Sequence, residues 1–319
     1  MTPLKDLQGG EHEFARLPLD RVGIVNVVKR VDIVRGTYKY SFTPSISALI
    51  DLPSRQRGIH MSRTAETIEE IINEVVVAPA RSVEELSKRM VKVLLEHHDY
   101  ATVAEVEMEG SLIVQRRENE GEHSQKSYTL VGKAIATRKE DGAFRYRLFV
   151  GTSAHGMTAC PCALEMSRSY AKGLMLSRKD LGLSPEQVEK LLNVLPFSSH
   201  NQRATGSVLL EIGEDPVDSI DVVDLIDIIE ESMSSRIKAV LKRPQEAAVV
   251  RIAHLNPLFA EDVVRIIGTK LATRKFDVLD DACSVVIKLV SMESIHAHDV
   301  YAELRTSLGD IRRALGQKT

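Results

Sequence analysis

Apolar residues recur along this chain at two spacings, one typical of strands and one typical of helices. In the first half they predict strands, then a pair of helices, then strands again. The predicted strands are 22–28, 38–42, 102–116, 125–139 and 143–151. The first two are joined through Arg35-Gly36-Thr37, and the last two through a turn at Asp141-Gly142. The first helix is predicted to begin near Ser62 or Thr64, and the second helix to run over 82–97.

The second half repeats this order of elements. The predicted elements are a strand over 206–212, a long helix over 219–241, a helix opened by Asn256-Pro257, and strands near 282–291 and 297–306. Pro244 is expected to stop the long helix. Asn256 is expected to cap the next helix, with Pro257 at its first position. An inserted segment over 164–198 also looks helical.

These elements predict an α+β fold of two tandem modules, 21–150 and 151–319, after an N-terminal arm over 1–20. Each module has an antiparallel sheet with a helix pair on one face. The other sheet face is left uncovered, and several copies that close into a barrel or ring would cover it. We therefore expect a homo-oligomer, in which subunits can share sites.

Composition narrows the class of protein. The 319 residues are 43% hydrophobic and 27% charged, as in a globular protein. A net charge of −3, no Trp and only 4% aromatic residues argue against nucleic acid as a partner. No apolar run approaches the roughly 18 residues of a membrane span, and the N-terminus lacks the apolar core of a signal peptide. Since three cysteines cannot all pair, we expect a cytoplasmic protein with no membrane partner.

Two thiols flank a proline at Cys160-Pro161-Cys162. The residue before a proline is kept out of the helical region, so we expect Cys160 to be extended and both thiols to share one face. Residues 163–166 read as the start of a helix, where a thiolate gains from unpaired N–H groups. Two small cysteines that pack a turn would give the same tripeptide, so its chemistry depends on the other motifs.

Further polar groups lie where predicted elements end, as functional residues often do. His200 opens a His-Asn-Gln-Arg run before a strand, and an imidazole with a thiolate suits a divalent metal such as Zn²⁺ or Fe²⁺. Glu246, expected near a helix end beside Arg243, is either a surface carboxylate or a third metal ligand. Glu261 lies in the first turn of a helix, where it complements the helix dipole or accepts two hydrogen bonds from guanine.

A last group follows Glu293, where His296 and His298 fall on one face of an extended segment. That arrangement suits a metal or a phosphate, and also suits plain surface residues. Among the other histidines and cysteines, we expect solvated side chains at His12, His97 and His98 and a core position for Cys283, while His155 and His254 stay open.

The order of these motifs resembles one family. The motifs are His-Met-Ser-Arg (60–63), Cys-Pro-Cys (160–162), His-Asn-Gln-Arg (200–203), Arg-Pro-Gln-Glu (243–246), Phe-Ala-Glu-Asp (259–262) and Glu-Ser-Ile-His (293–296). Over about residues 20–306 the chain is similar to the type IB GTP cyclohydrolases, and within them to the archaeal enzymes of methanopterin biosynthesis. The resemblance implies the tunnelling fold, with two modules per chain and a homotetramer.

The resemblance also implies roles for single residues. The implied metal ligands are Cys160, His200 and Glu246, with His298 as an addition. The implied catalytic residues are Cys162, Glu293 and His296. The implied substrate-binding residues are Glu261 for guanine, with His60, Arg63 and Arg203 for the rest of the nucleotide.

The implied substrate is GTP, hydrolysed at guanine C8 with release of formate. For the archaeal subgroup, which the inserted segment favours, the products are 7,8-dihydroneopterin 2′,3′-cyclic phosphate and diphosphate. The implied cofactor is one Fe²⁺ per subunit, with Zn²⁺ or Mn²⁺ as substitutes. The alternative product is 7,8-dihydroneopterin triphosphate, for folate or deazaguanine pathways. The competing functions are an aldolase or reductase of the same fold, and a nucleotide-binding oligomer in which Cys160 and Cys162 are structural.

Overall fold

The structure is a computed structural model, and it describes residues 8–9, 16–35, 38–77, 80–119, 122–214, 220–273 and 275–317. Most of the predicted arm lies outside these residues, and so do His12, the turn at Gly36-Thr37 and the predicted start of the long helix at Ser219.

The described elements alternate between strands and helices in the predicted manner. The strands are β1 (Leu19–Val28), β2 (Val31–Arg35), β3 (Tyr38–Phe42), β4 (Ser45–Leu52), β5 (Val103–Asn119), β6 (Glu122–Arg138), β7 (Phe144–Ala159), β8 (Asn201–Gly213), β9 (Ser235–Arg236), β10 (Ser284–Ser291) and β11 (Val300–Ser307). The helices are α1 (Met61–Val77), α2 (Val83–His97), α3 (Pro161–Ser177), α4 (Pro185–Val194), α5 (Val222–Glu231), α6 (Arg243–Leu255), α7 (Ala260–Thr273) and α8 (Leu308–Ala314). None of the described helices is both long and apolar enough to cross a membrane.

The chain forms two compact units that interleave along the sequence. Unit 1 comprises residues 1–112, 127–152 and 209–222, and unit 2 comprises residues 113–126, 153–208 and 223–319. The long strands β5, β6, β7 and β8 therefore contribute residues to both units. The predicted module boundary at residue 150 stays a prediction.

In unit 1 the strands follow the order β1-β4-β5-β6-β7, and β2 and β3 form a separate antiparallel hairpin. Strand β4 pairs antiparallel with both β1 and β5. Buried and half-buried residues alternate along β4, so one face of the sheet is covered. Helix α1 packs on β1 and α2 packs on β4. The core of this unit includes Ile46, Ile50, Leu86, Met90, Leu94 and Met108.

In unit 2 the order β7-β8-β10-β11 continues to the edge strand, and β10 pairs antiparallel with β11 over its whole length. The same strict alternation of burial occurs along β10. Helix α7 packs on β10 and β11, and α3 packs on α4. The core includes Leu225, Ile229, Ile267, Leu271, Ile287 and Leu289. The structure thus confirms the predicted α+β fold class and the helical character of the segment over 164–198.

The N-terminal strands were predicted incompletely. Four strands replace the predicted two, and Tyr38–Phe42 pairs with Val31–Arg35 instead of following the first strand directly. The first strand pairs with β4, which comes later in the chain. The reason is that several short β-rich runs with similar composition leave their pairing unspecified in the sequence.

The long helix predicted over 219–241 was wrong. Helix α5 ends at Glu231, and Ser235 and Arg236 then pair with β7. Ser232, Ser234 and Ser235 follow the last residue of α5, and serine favours helix ends and turns over helix interiors.

Two predicted helix boundaries also change. Pro244 is the second residue of α6 instead of stopping a helix, since a proline in the first turn has no N–H to leave unpaired. Asn256 ends α6 as its C-cap, with its N–H donating to Ile252 and Ala253, and does not open the next helix. That helix, α7, begins three residues beyond Pro257, at Ala260.

Candidate active site

The segments that carry Cys160 and His200 are bonded to each other in unit 2. The N–H of Cys160 donates to the carbonyl of His200 (3.1 Å), and the hydroxyl of Ser199 donates to the carbonyl of Cys160 (2.7 Å). Cys160 is half-buried and extended, with φ −74° and ψ 119°, as predicted. Two motifs that are distant in the sequence are therefore adjacent.

Cys162 differs from the prediction. Helix α3 begins at Pro161, so Cys162 lies in its first turn and is exposed, and the extended segment expected over both thiols does not form. The fixed φ of proline suits the first helical position, which brings the helix start forward. Cys283 is buried, as predicted.

His200 belongs to a hydrogen-bonded network with Gln202 and Glu293. Its Nδ1 lies 3.0 Å from Oε1 of Gln202, and Nε2 of Gln202 donates to Oε1 of Glu293 (3.0 Å). The hydroxyl of Ser291 also donates to Oε1 of Glu293 (3.0 Å), and Nε2 of Gln202 lies 3.3 Å from that hydroxyl. The Glu293 side chain is only 8% exposed, so its carboxylate is satisfied from inside the protein.

Two further imidazoles lie beside this network, in the loop between β10 and β11. The rings of His296 and His298 are stacked, with centroids 5.2 Å apart, so the two histidines share a face as predicted. The ring of His200 is perpendicular to that of His296 at 6.3 Å. Both loop histidines are exposed, whereas the side chain of His200 is 12% exposed.

Among the described residues, no hydrogen bond or ion pair joins the side chains of the other predicted site residues to this group. Glu246 is exposed in the first turn of α6, Glu261 is exposed in the first turn of α7, and Arg203 is exposed on β8. In the part of the chain that the structure describes, no three His, Cys, Asp or Glu side chains come together as a metal site. The predicted ligand set of Cys160, His200, Glu246 and His298 therefore stays a prediction.

An open cleft of ≈ 660 Å³ lies next to the Cys160–His200 junction. Its walls are the α3–α4 segment and α6, and Glu246 and Arg251 are among its polar residues. His254, also in the wall, is buried, and its Nε2 lies 2.9 Å from the carbonyl of Ser199. Since a carbonyl only accepts, Nε2 carries a proton and ties α6 to the segment before His200.

In unit 1, His60 and Arg63 lie at the start of α1 and contact the end of α2. Nη1 of Arg63 donates to the carbonyl of His97 (3.0 Å), and the N–H of His60 donates to the hydroxyl of Tyr100 (3.3 Å). The same hydroxyl lies 2.8 Å from Nδ1 of His98.

The prediction that His98 is solvated was wrong. Its side chain is fully buried, with Nε2 3.1 Å from the hydroxyl of Thr64. Burial, followed by the nearby charge of Arg63, lowers the pKa of His98 from 6.5 to about 4. A neutral His98 donates from one ring nitrogen and accepts at the other. The sequence gives little sign of this, because adjacent histidines at a helix end are usually exposed.

Gln202 contacts His200, and Tyr100 contacts both His60 and the buried His98, but the sequence assigned none of these three contacts. Gln202 stands inside a motif that was recognised, so its position next to His200 was the available signal. His98 and Tyr100 follow a helix end and contact residues of another helix, so only the fold reveals them.

Comparison with solved structures defines the class of fold. A highly active BTUO mutant matches with a TM-score of 0.51 and 9% identity over 92% of this chain and 99% of that chain. The urate oxidase of Bacillus sp. TB-90 matches with a TM-score of 0.50 and 9% identity over 91% and 99%. The fold is the tunnelling fold, as predicted.

Sequence comparison shows the family to which this chain belongs. The profile of the type I GTP cyclohydrolase folE2 family matches residues 4–302, and the chain belongs to this family. GTP cyclohydrolase MptA 2 of Methanocella arvoryzae is 39% identical over 98% of this chain and 99% of that protein. GTP cyclohydrolase MptA of Methanocaldococcus jannaschii is 37% identical over 97% of each. The predicted resemblance is confirmed, and the chain is an enzyme of this family.

Proposed function

We propose that this chain hydrolyses GTP at guanine C8, with release of formate, and forms 7,8-dihydroneopterin 2′,3′-cyclic phosphate and diphosphate. This reaction would be the first step of methanopterin biosynthesis. The observation that carries the proposal is the end-to-end similarity to proteins named GTP cyclohydrolase MptA, which includes the segment between Cys160 and His200. The cluster around His200 supplies imidazoles and a thiol of the kind that hydrolysis at C8 requires.

One Fe²⁺ per subunit is part of the proposal, with Zn²⁺ or Mn²⁺ as substitutes. The side chains fit a divalent transition metal. The imidazoles of His200 and its neighbours are borderline ligands, and the thiolate of Cys160 is a soft ligand. Since three such side chains are not assembled within the described residues, Cys160, Glu246 or His298 must approach His200 to complete the set. The bound metal would supply a water molecule of lowered pKa and polarise the site.

The remaining groups of the chain bind the substrate and move protons. The carboxylate of Glu261 accepts two parallel hydrogen bonds from N1–H and the exocyclic amine of guanine. The thiol of Cys162 and the imidazole of His296, both exposed, exchange protons with the nitrogens on either side of C8 as the ring opens. Arg203 in unit 2, and His60 and Arg63 in unit 1, are proposed to bind phosphate oxygens.

The assembly is also proposed, as a homotetramer whose sheets close into a barrel. The support is that buried and half-buried residues alternate along β4 and β10, so one face of each strand is only half-buried in a single chain. A barrel closed between copies would cover these faces.

The test is anaerobic incubation of metal-free protein with GTP and Fe²⁺, with the products resolved by mass. We expect formate and the cyclic phosphate. If the product is dihydroneopterin triphosphate, the chain is still a GTP cyclohydrolase and only the proposed product is wrong. Intact GTP with Fe²⁺, Zn²⁺ and Mn²⁺ alike would contradict the proposal.

Two matched variants separate the roles of the thiols. Cys160→Ser should lose both bound metal and turnover, because a hydroxyl is a far weaker ligand for these metals than a thiolate. Cys162→Ser should retain the metal and lose most turnover, by about 10²–10⁴-fold if its thiol is the proton carrier. Equal metal loss in both variants would show that the roles are assigned wrongly.

A further inference from the structure

The contacts between Glu293, Gln202 and His200 have only one consistent direction of hydrogen bonding. The carboxylate of Glu293 can only accept hydrogen bonds. It lies 3.0 Å from one end of the Gln202 amide, so that end must be the NH₂ group. The opposite assignment would place two oxygens against each other in a buried position.

This direction determines the tautomer of His200. With its NH₂ group on Glu293, Gln202 presents its oxygen to Nδ1 of His200 at 3.0 Å. An amide oxygen only accepts, so Nδ1 must carry a proton. The carboxylate of Glu293, 3.8 Å from Nδ1, favours the same proton position. In a neutral ring, Nε2 then has a free lone pair.

Nε2 is the nitrogen that remains available to a ligand. Nδ1 makes the ring's hydrogen bond to Gln202, and the ring of His200 has no further hydrogen-bond partner among the described residues. The neighbouring ring is that of His296, perpendicular at 6.3 Å. Histidines that bind metals commonly donate their second N–H to a carboxylate or carbonyl, which fixes the ring and raises its basicity.

We infer that Gln202 is a positioning residue for His200. Its amide NH₂ donates to Glu293 and its amide oxygen accepts from Nδ1 of His200, which leaves the lone pair of Nε2 for a divalent metal. Glu293 then acts through Gln202 instead of touching the substrate. Ser291 completes the arrangement, because its hydroxyl donates to the same carboxylate oxygen. The inference rests on the proposed metal-dependent function and adds residues to that site.

The experiment measures the affinity of metal-free protein for Co²⁺ alone, under anaerobic conditions, in competition with a chelator of known affinity. Gln202→Leu removes the acceptor for Nδ1 and should weaken Co²⁺ binding by about 10–100-fold. The control is Gln125→Leu, an exposed glutamine on β6 in the same unit, which should bind like the wild type. Circular dichroism confirms that each variant is folded.

A double variant tests the direction of the hydrogen bonds. In Gln202→Glu/Glu293→Gln, the new amide donates to the new carboxylate, which still accepts from Nδ1 of His200. This exchange should recover most of the Co²⁺ affinity that Gln202→Leu loses. Affinity as low as that of Gln202→Leu would overturn the inference, and so would wild-type affinity in Gln202→Leu itself.

The variant His200→Ala separates this inference from the proposed function. If His200→Ala loses Co²⁺ and Gln202→Leu does not, only the role of Gln202 fails. If His200→Ala binds Co²⁺ as the wild type does, His200 is not a ligand and both proposals lose their metal site. Formation of the pterin product from GTP is measured separately on the wild-type chain, so this assay tests the proposed function whatever the result for the Gln202 variants.

Discussion

The buried imidazole of His98 makes the stability of the folded chain depend on pH. In the unfolded chain the pKa of this ring is 6.5, and in the folded chain it is about 4. Between these values the unfolded chain binds more protons, so the free energy of unfolding falls as the pH falls from 6.5 towards 4. Arg63, His60 and His97 oppose protonation of the ring, and Asp99 favours it.

Replacement of His98 by glutamine should remove this dependence. Between pH 7.5 and pH 5 the wild type should lose about 2 kcal/mol through His98, from the difference between the two pKa values. His98→Gln should lose less over this range, although it starts about 1 kcal/mol less stable because Tyr100 loses its hydrogen-bond partner. The measurement is urea unfolding at both pH values and one protein concentration.

The matched control is His155→Gln, an exposed histidine on β7 that is not among the groups acting on the ring of His98. It should keep the pH dependence of the wild type. The same slope in His98→Gln as in the wild type would show that other groups cause the pH effect.

Single residues also show what the sequence could reveal about the site. Cys160 and His200 were recognised by type and motif, and their adjacency follows from one backbone hydrogen bond. The contacts of Gln202 were not visible in the sequence, because an amide has no characteristic chemistry until its two partners are known. For the same reason His98 was misjudged, since burial depends on packing between α1 and α2.

At the scale of elements, α2 and β6 approach too closely for a side chain between them. A Cβ atom at Gly132 would lie 2.6 Å from Cβ of Val83 and 2.8 Å from its carbonyl carbon. The hydroxyl of Ser87 bridges the same two elements, with acceptors at the carbonyls of Val83 (2.9 Å) and Gly132 (3.2 Å). The backbone of α2 would therefore have to move to accommodate a methyl group.

We expect Gly132→Ala to lower the free energy of unfolding by about 1–3 kcal/mol, the usual cost of overpacking. Gly173→Ala, inside α3, is the matched control, since nothing lies within 4 Å of its Cβ position. That substitution should raise stability by about 0.5–1 kcal/mol, because alanine favours a helix over glycine. Urea unfolding of both variants checks the opposite signs, and an unchanged Gly132→Ala would refute the close contact.

The elements differ in how far the sequence determines them. Helix α2 was predicted closely, because a regular apolar stripe coincides with a Ser82 cap that accepts the N–H of Glu85. Pro244 was misread, since a proline fits the end of one helix and the start of the next equally well. Strand pairing between β1 and β4 was also beyond the sequence, because it depends on contacts that short-range patterns do not encode.

At the scale of the whole molecule, the exposed apolar residues bear on the proposed assembly. Met166, Tyr170 and Leu174 are spaced by four on α3, with exposures of 70%, 74% and 51%. Residues at this spacing share a helix face. Exposed apolar side chains also occur on the edge strands β1 and β11, at Val25, Val28 and Tyr301. A row of exposed apolar side chains along one helix face is typical of an interface.

The proposed tetramer makes a quantitative prediction about mass in solution. Light scattering after size exclusion should give about four times the 35.4 kDa of one chain. A closed assembly has a fixed number of subunits, so this mass should stay constant as protein concentration rises. Non-specific association through exposed apolar residues would instead give a mass that grows with concentration. A constant 35.4 kDa species over the same range would contradict the closed barrel, because the sheet faces would then remain open to solvent in the stable state.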